Sequence, residues 1–168
     1  ISIDELFKNK KNSSKDKILD FKTLSKKIKI DKEKGLKIGF TNGCFDILHY
    51  GHVKYLEKSK LYCDKLIVAL NSDKSVKLIK GKSRPINNQS TRASIISSLN
   101  CCDYIIIFDE RTPLSLIKKI KPDLITKGGD YKNKKIVGES EIKRWGGTAL
   151  KLDFINDLSS TNLIEKLK

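Results

Sequence analysis

Methionine is absent from the 168 residues. The chain therefore does not open on a start residue, and the expectation is a piece of a longer polypeptide. Long apolar runs are missing as well. Nothing approaches the ~18 consecutive apolar residues of a membrane span, and Ile1-Ser2-Ile3-Asp4 lacks the basic-then-apolar layout of a signal peptide. No membrane partner and a cytoplasmic location are the corresponding expectations. The four cysteines, Cys44, Cys63, Cys101 and Cys102, contain no C-x-x-C pair, which argues against a zinc site. No metal-ligating residue is assigned, and reduced thiols are expected. Cys101-Cys102 read as small core residues ahead of a strand. Arginine is scarce: only Arg84, Arg92, Arg111 and Arg144 stand among 35 Lys+Arg.

What remains is a strongly basic chain of net charge +15 with a hydrophobic fraction of 38%, enough for a core. The lysines are spread along the sequence with no aromatic-interleaved stripe. They read as solvated faces rather than as a nucleic-acid surface, and they draw anionic substrates such as nucleotides and sugar phosphates.

Residues 1–18 read as a linker or the tail of a preceding domain, polar and Lys/Asn/Ser-rich over Lys8 to Lys17; residues 19–168 read as one domain. A short helix over Phe21 to Ile30 ends before Gly35. Strand and helix then alternate. Strands are predicted at 37–41, 66–70, 104–108, 123–126 and 148–152. Helices are predicted at 50–62, 73–79, 90–99 (capped by Ser90 or Thr91), 113–120, 139–145 and 160–167. This alternation implies an α/β fold, a Rossmann-like parallel sheet flanked by helices. Ligands in such sheets bind beyond the carboxyl ends of the strands. The turns after the first and fourth strands are therefore the places to search.

The first of these carries Gly43, Gly51 and the chain's two histidines, His49 and His52. The glycines let the backbone approach a ligand. Three residues apart at a helix start, the imidazoles face one side. The helix N-terminus offers free N–H groups and a partial positive charge to a phosphate. Imidazole donors added there can stabilise charge developing on phosphorus. A metal pair is the competing reading, but no third ligand lies nearby in sequence.

His49-Tyr50-Gly51-His52 resembles the HxGH signature of the cytidylyltransferase-like nucleotidyltransferase superfamily. Thr41 through His49 resembles, more narrowly, the adenylyltransferase domain of the bifunctional heptose 7-phosphate kinase/heptose 1-phosphate adenylyltransferases. The likeness runs on through Leu70 to Val76, Lys80-Gly81, Arg84-Pro85, Arg92, Phe108-Asp109-Glu110, Thr112-Pro113-Leu114, Lys121-Pro122-Asp123 and Lys127 to Tyr131. Ile1 to Leu6 looks like the tail of the fused sugar kinase domain.

The resemblance implies in-line attack of a sugar 1-phosphate, D-glycero-β-D-manno-heptose 1-phosphate, on the α-phosphorus of ATP, with Mg²⁺ accompanying the triphosphate. His49 and His52 would hold the triphosphate, and Lys80 would reach it or the sugar phosphate. Thr41 and the backbone of Asn42, Gly43, Cys44 and Phe45 would line the nucleotide pocket. Asp46 would orient that pocket, bind the metal indirectly, or simply cap the turn. Arg84 and Arg92 would bind the substrate. The loop Lys127, Gly128, Gly129, Asp130 would meet the base or ribose, or be a plain turn. Ser159, Ser160 and Thr161 would take the β- or γ-phosphate at the last helix. The family often has a glycine just before that step; Asn156-Asp157-Leu158 stands there instead, leaving the backbone less freedom. A homo-oligomer is compatible with this reading. Two other functions compete with it: a cytidylyltransferase for glycerol 3-phosphate or a phosphorylated amino alcohol, and a basic nucleic-acid-binding module, which gives no reason for the histidines.

Overall fold

The computed structural model describes residues 14–128 and 135–152. A 3₁₀ turn at Ser14–Lys17 leads through Ile18, which bridges to Ile105, into helix α1 (Phe21–Glu33). Asp20 caps α1 by accepting from the Thr23 amide at 2.7 Å, and Leu24 and Ile28, four apart, are its buried face. There follow β1 (Ile38–Gly43), α2 (Tyr50–Lys60), β2 (Lys65–Asn71), α3 (Asp73–Lys80), α4 (Gln89–Ser97), β3 (Tyr104–Phe108), α5 (Leu114–Ile120), β4 (Leu124–Gly128), α6 (Glu139–Lys143) and β5 (Thr148–Leu152).

Among the described residues the strands form one 5-stranded sheet of order β3-β2-β1-β4-β5, parallel at every pairing. The expected α/β architecture is thus present. Along β2, Ile67 and Ala69 join the apolar cluster under α1, α5 and α6. Leu66, Val68 and Leu70 join the opposite cluster under α2 and α4. Burial on both faces is why the segment reads as an unbroken apolar run. The chain moves outward from β1 through β2 to β3, then crosses back to lay β4 on the other side of β1. The switch point therefore lies between β1 and β4, where a ligand crevice forms in such sheets.

Three local expectations need correction. The helix after the 81–88 loop starts at Gln89, not Ser90: Asn88 caps it by accepting from the Thr91 amide at 2.8 Å. Lys80 belongs to the last turn of α3 rather than to that loop. Lys127 and Gly128 end strand β4 instead of forming a turn. The expected helix at 160–167 lies outside the described residues, as do Ser159, Ser160 and Thr161, Gly129 and Asp130, and most of the 1–18 segment.

Candidate active site

The turn between β1 and α2 is fixed from behind by a buried polar brace. The Asp46 carboxylate, 1% exposed, accepts from Arg84 Nε at 2.5 Å, from the Ile86 amide at 2.8 Å and from the Asn87 amide at 3.1 Å. Asn87 Nδ2 returns a bond to the Asp46 carbonyl. Burial opposes the Asp46 charge, but the Asn87 amide and the Arg84 guanidinium outweigh it and hold the carboxyl below the usual range. Asp46 therefore ties the 84–87 loop to the turn. Arg92, 1% exposed, spends Nε on the Asn87 carbonyl, Nη1 on the Cys44 carbonyl and Nη2 on Asp73. The sequence reading placed Arg92 at the substrate; its fork is instead committed to protein oxygens around the turn. Arg84 keeps one nitrogen in reserve. Its Nη2 is buried and meets no hydrogen-bond partner among the described residues.

On the front of the turn stand the histidines. His49 occupies the cap position of α2 with extended backbone and makes no side-chain cap bond, so its ring is left for other use. The two imidazoles stack with centroids 3.8 Å apart, and the Phe45 ring meets His52 edge-on at 5.2 Å. Phe45 holds φ at +44°, a region that costs a non-glycine residue on the order of 1 kcal/mol. Its ring also lies over Gly43, where a Cβ would come within 2.8 Å. Burial lowers the His49 pKa, and burial, His49 and Lys80 together push His52 down to about 4. Both rings are thus neutral at pH 7, each with one N–H donor and one acceptor nitrogen, and the His52 ring also meets the Ile47 backbone. His49 Nδ1 is buried without a partner among the described residues.

Beside His52 lies a cleft of about 410 Å³ at the carboxyl ends of β1, β2 and β4. Asn42, Gly43, Cys44 and Phe45 line it with Lys127 and Gly128, and the exposed Lys80 and Arg111 supply its cationic rim. Ile79, Ile136 and Val137 supply an apolar flank. Its described lining holds no carboxylate. Lys127 Nζ donates to the Asn42 carbonyl at 2.9 Å and to Asn42 Oδ1 at 3.2 Å, and burial pushes its pKa down to about 8. Burial likewise raises the Cys44 thiol, which approaches Asn71 Oδ1 at 3.9 Å and is no thiolate at pH 7.

The cleft gathers Asn42, Gly43, Cys44, Phe45, His52, Lys80, Lys127 and Gly128 of the sequence-predicted set. Thr41 and Gly51 are buried immediately beneath it, and Asp46, Arg84 and Arg92 sit behind the turn. Tyr55, Asn71, Arg111, Thr112, Ile136 and Val137 line it too and were not assigned from sequence. Asn71 ends β2, so the rule about strand carboxyl ends could have found it. Tyr55 is one helical turn past His52. Thr112 lies in the Thr112-Pro113-Leu114 motif, and nothing local marks Arg111, Ile136 or Val137. Among the described residues no group of three or more His, Cys, Asp or Glu side chains could hold a metal ion, and no helix is long and apolar enough to cross a membrane.

Comparison with known proteins agrees with this geometry. A model of the cytidylyltransferase-like family matches residues 40–166. The chain is 47% identical over 151 residues to bifunctional protein HldE of Geobacter metallireducens, covering 90% of this chain and 31% of that protein. It is 46% identical over 164 residues to bifunctional protein HldE of Campylobacter fetus, covering 98% and 34%. It thus spans about a third of the length of the curated relatives it matches. Among solved structures, the lipopolysaccharide core biosynthesis protein from Thermoplasma volcanium is 33% identical with a TM-score of 0.58, covering 73% of this chain and 98% of that one. Pantoate-beta-alanine ligase from Francisella tularensis, 18% identical with a TM-score of 0.60 over 88% of this chain and 72% of that one, shares the fold. A doubly wound parallel sheet, a stacked HxGH pair at the start of the helix after β1, a cation-rimmed cleft and a family match over most of the chain lead to one conclusion: the chain belongs to the cytidylyltransferase-like family and is a nucleotidyltransferase.

Proposed function

We propose that this domain transfers AMP from ATP to D-glycero-β-D-manno-heptose 1-phosphate, releasing pyrophosphate and ADP-heptose. The observation that carries the transfer chemistry is the neutral, stacked histidine pair beside a cleft rimmed by Lys80 and Arg111 and free of carboxylates along its described lining. The adenosine and the heptose rest on the resemblance carried by Thr41 to His52 and the later motifs. The relatives named bifunctional protein HldE and lipopolysaccharide core biosynthesis protein support them.

In this reaction an oxygen of the sugar phosphate attacks the α-phosphorus and the bond to the β-phosphate oxygen breaks. The electron pair leaves with pyrophosphate. A phosphate at neutral pH is already an anionic nucleophile, so no residue need remove a proton from it. The protein's task is to align the two phosphates and to spread the charge that builds on the α-phosphoryl oxygens. The His49 and His52 rings and the N-terminal end of α2 serve that charge. Lys80 and Arg111 hold the triphosphate by charge at the rim of the cleft. His49 Nδ1 and Arg84 Nη2, buried on the two segments that Asp46 joins, are the nitrogens left for phosphate oxygens. Asn42 to Phe45, with Gly128 and the apolar flank of Ile136 and Val137, accept the base and ribose. Gly129, Asp130, Ser159, Ser160 and Thr161 are assigned to the same nucleotide.

Mg²⁺ would accompany the triphosphate. The described lining fits an ion held by phosphate oxygens and water rather than by protein carboxylates, and the ion supplies further neutralisation of the triphosphate when bound. The roughly threefold greater length of the relatives supports a fused sugar kinase domain in the parent polypeptide.

Pyrophosphate release assayed over the four nucleoside triphosphates and a set of sugar 1-phosphates tests the proposal. Turnover with ATP and the heptose 1-phosphate is expected. Preferential use of CTP with glycerol 3-phosphate or a phosphorylated amino alcohol would overturn it.

A further inference from the structure

A chain of buried hydroxyls lies directly under the cleft, and the reaction chemistry does not use it. Thr41 on β1, Ser59 on α2 and Thr126 on β4 are each 0% exposed, and Tyr55 on α2 is 5% exposed. Tyr55 OH donates to Thr126 Oγ1 at 3.2 Å, Thr126 donates to Ser59 Oγ at 2.9 Å, and Ser59 donates to the Tyr55 carbonyl at 2.9 Å. Thr41 Oγ1 and Tyr55 OH are 2.6 Å apart. Since the Tyr55 proton goes to Thr126, Thr41 must be the donor in that last pair. All the bonds then run in one direction, and each hydroxyl proton is used once.

Valine and phenylalanine would fill this space without the desolvation cost of four hydroxyls. What hydroxyls add is direction: a satisfied buried network admits one arrangement of the elements it joins. Here it joins α2 to the two strands that flank the switch point. The ring of Tyr55 reinforces the link, because it lies so close to Gly128 that a Cβ there would come within 2.6 Å. His52 sits one turn before Tyr55 on the same helix face, and both line the cleft.

We propose that Tyr55 is a positioning residue: through Thr41 and Thr126 its hydroxyl sets the seat of α2 on β1 and β4, and with it the place of the His52 imidazole at the cleft. The role rests on the nucleotidyl transfer proposed above. A displacement of an ångström in such a group costs turnover rather than binding.

The chain's two histidines make the test direct, since every imidazole signal in an NMR spectrum belongs to His49 or His52. In Tyr55→Phe the His52 ring signals are expected to move from their wild-type positions without any substrate present. In the pyrophosphate assay kcat is expected to fall about tenfold, with KM for ATP changed less than about threefold. Stability should fall too, because Thr41 is left with a buried unpaired hydroxyl. The triple variant Tyr55→Phe/Thr41→Val/Thr126→Val removes that orphan, and its melting temperature is expected to recover while kcat stays low. If kcat returns together with the melting temperature, or if Tyr55→Phe leaves the His52 signals in place, Tyr55 is packing alone and the inference fails. A wild-type chain that released no pyrophosphate from any pair would sink the reaction, while the substrate-free imidazole spectrum would still decide the positioning.

Discussion

The two sides of the turn after β1 treat charge in opposite ways. Behind it, Asp46, Arg84, Asn87, Arg92 and Asp73 bind one another, and both carboxylates are answered by guanidinium groups. In front of it, His52, Lys80 and Lys127 stand with Arg111 around a cleft whose described lining has no carboxylate, and the His49 ring lies against His52. A cation already paired with a carboxylate has little left to offer a polyanion, and a cation without one is hard to hold in place. Dividing the work eases both problems: Arg84 Nε and the fork of Arg92 hold the turn, while Lys80, Lys127 and Arg111 face the cleft.

The contrast would break most visibly if the brace were removed. Asp46→Ala leaves Arg84 buried without its partner and takes the acceptor from two backbone amides. Removing one member of a buried pair costs about 3–5 kcal/mol. A fall of that size in urea unfolding is expected, with activity lost at temperatures where the wild type still works. A loss under about 1 kcal/mol would mean that the turn is held from elsewhere.

On the front side, His52→Ala should leave the unfolding free energy within about 1 kcal/mol of wild type and cut turnover by at least ~10²-fold, the size of losing an oxyanion-type donor. Wild-type-like turnover would refute the role. The same ring gives the difference between the sides a pH signature. The folded pKa of His52 is about 4, below the ordinary 6.5, so the unfolded chain binds the proton more readily between those values. Stability that is fully present above pH 6.5 must therefore be lost as pH falls toward 4. His52→Gln should flatten that part of the profile, measured as unfolding free energy against pH. An anionic triphosphate raises the ring's proton affinity, so nucleotide binding near pH 5 should take up protons, detectable as buffer-dependent heats in calorimetry.

How much of this could be read in the residues differs between the two sides. The strands were legible because a sheet buried on both faces leaves apolar runs such as Leu66 to Leu70. The HxGH pair was legible because two histidines at a helix start have a local physical meaning. The brace was not. Arg92 as a residue type suggests a phosphate ligand, and only packing reveals that its nitrogens meet the Asn87 and Cys44 carbonyls and Asp73. The start of α4 was misplaced because Asn88, Ser90 and Thr91 are all capping types. The structure gives the cap to Asn88, whose side chain accepts from the Thr91 amide at 2.8 Å, so that the helix starts at Gln89. Ile136 and Val137 entered the cleft unannounced because it is assembled from segments far apart in sequence.

The smallest expected effect sharpens the comparison within the front side itself. Lys80 and Lys127 flank one cleft under different constraints. Lys80 is exposed on the last turn of α3, whereas Lys127 is tied to both oxygens of Asn42, and burial lowers its pKa to about 8. A mobile exposed cation acts on the triphosphate mainly as a point charge, which binds ground state and transition state alike. Lys80→Ala should therefore raise KM for ATP about tenfold, roughly 1.4 kcal/mol, with kcat changed less than about threefold, and Lys80→Arg should restore most of it. Lys127 also fixes the Asn42 backbone on the nucleotide wall, so Lys127→Ala should move both constants, and Arg, whose fork does not fit a seat shaped for one nitrogen, should not rescue it. Steady-state kinetics of the four variants decides the matter: rescue by arginine at both positions would show that the buried lysine, too, acts by charge alone.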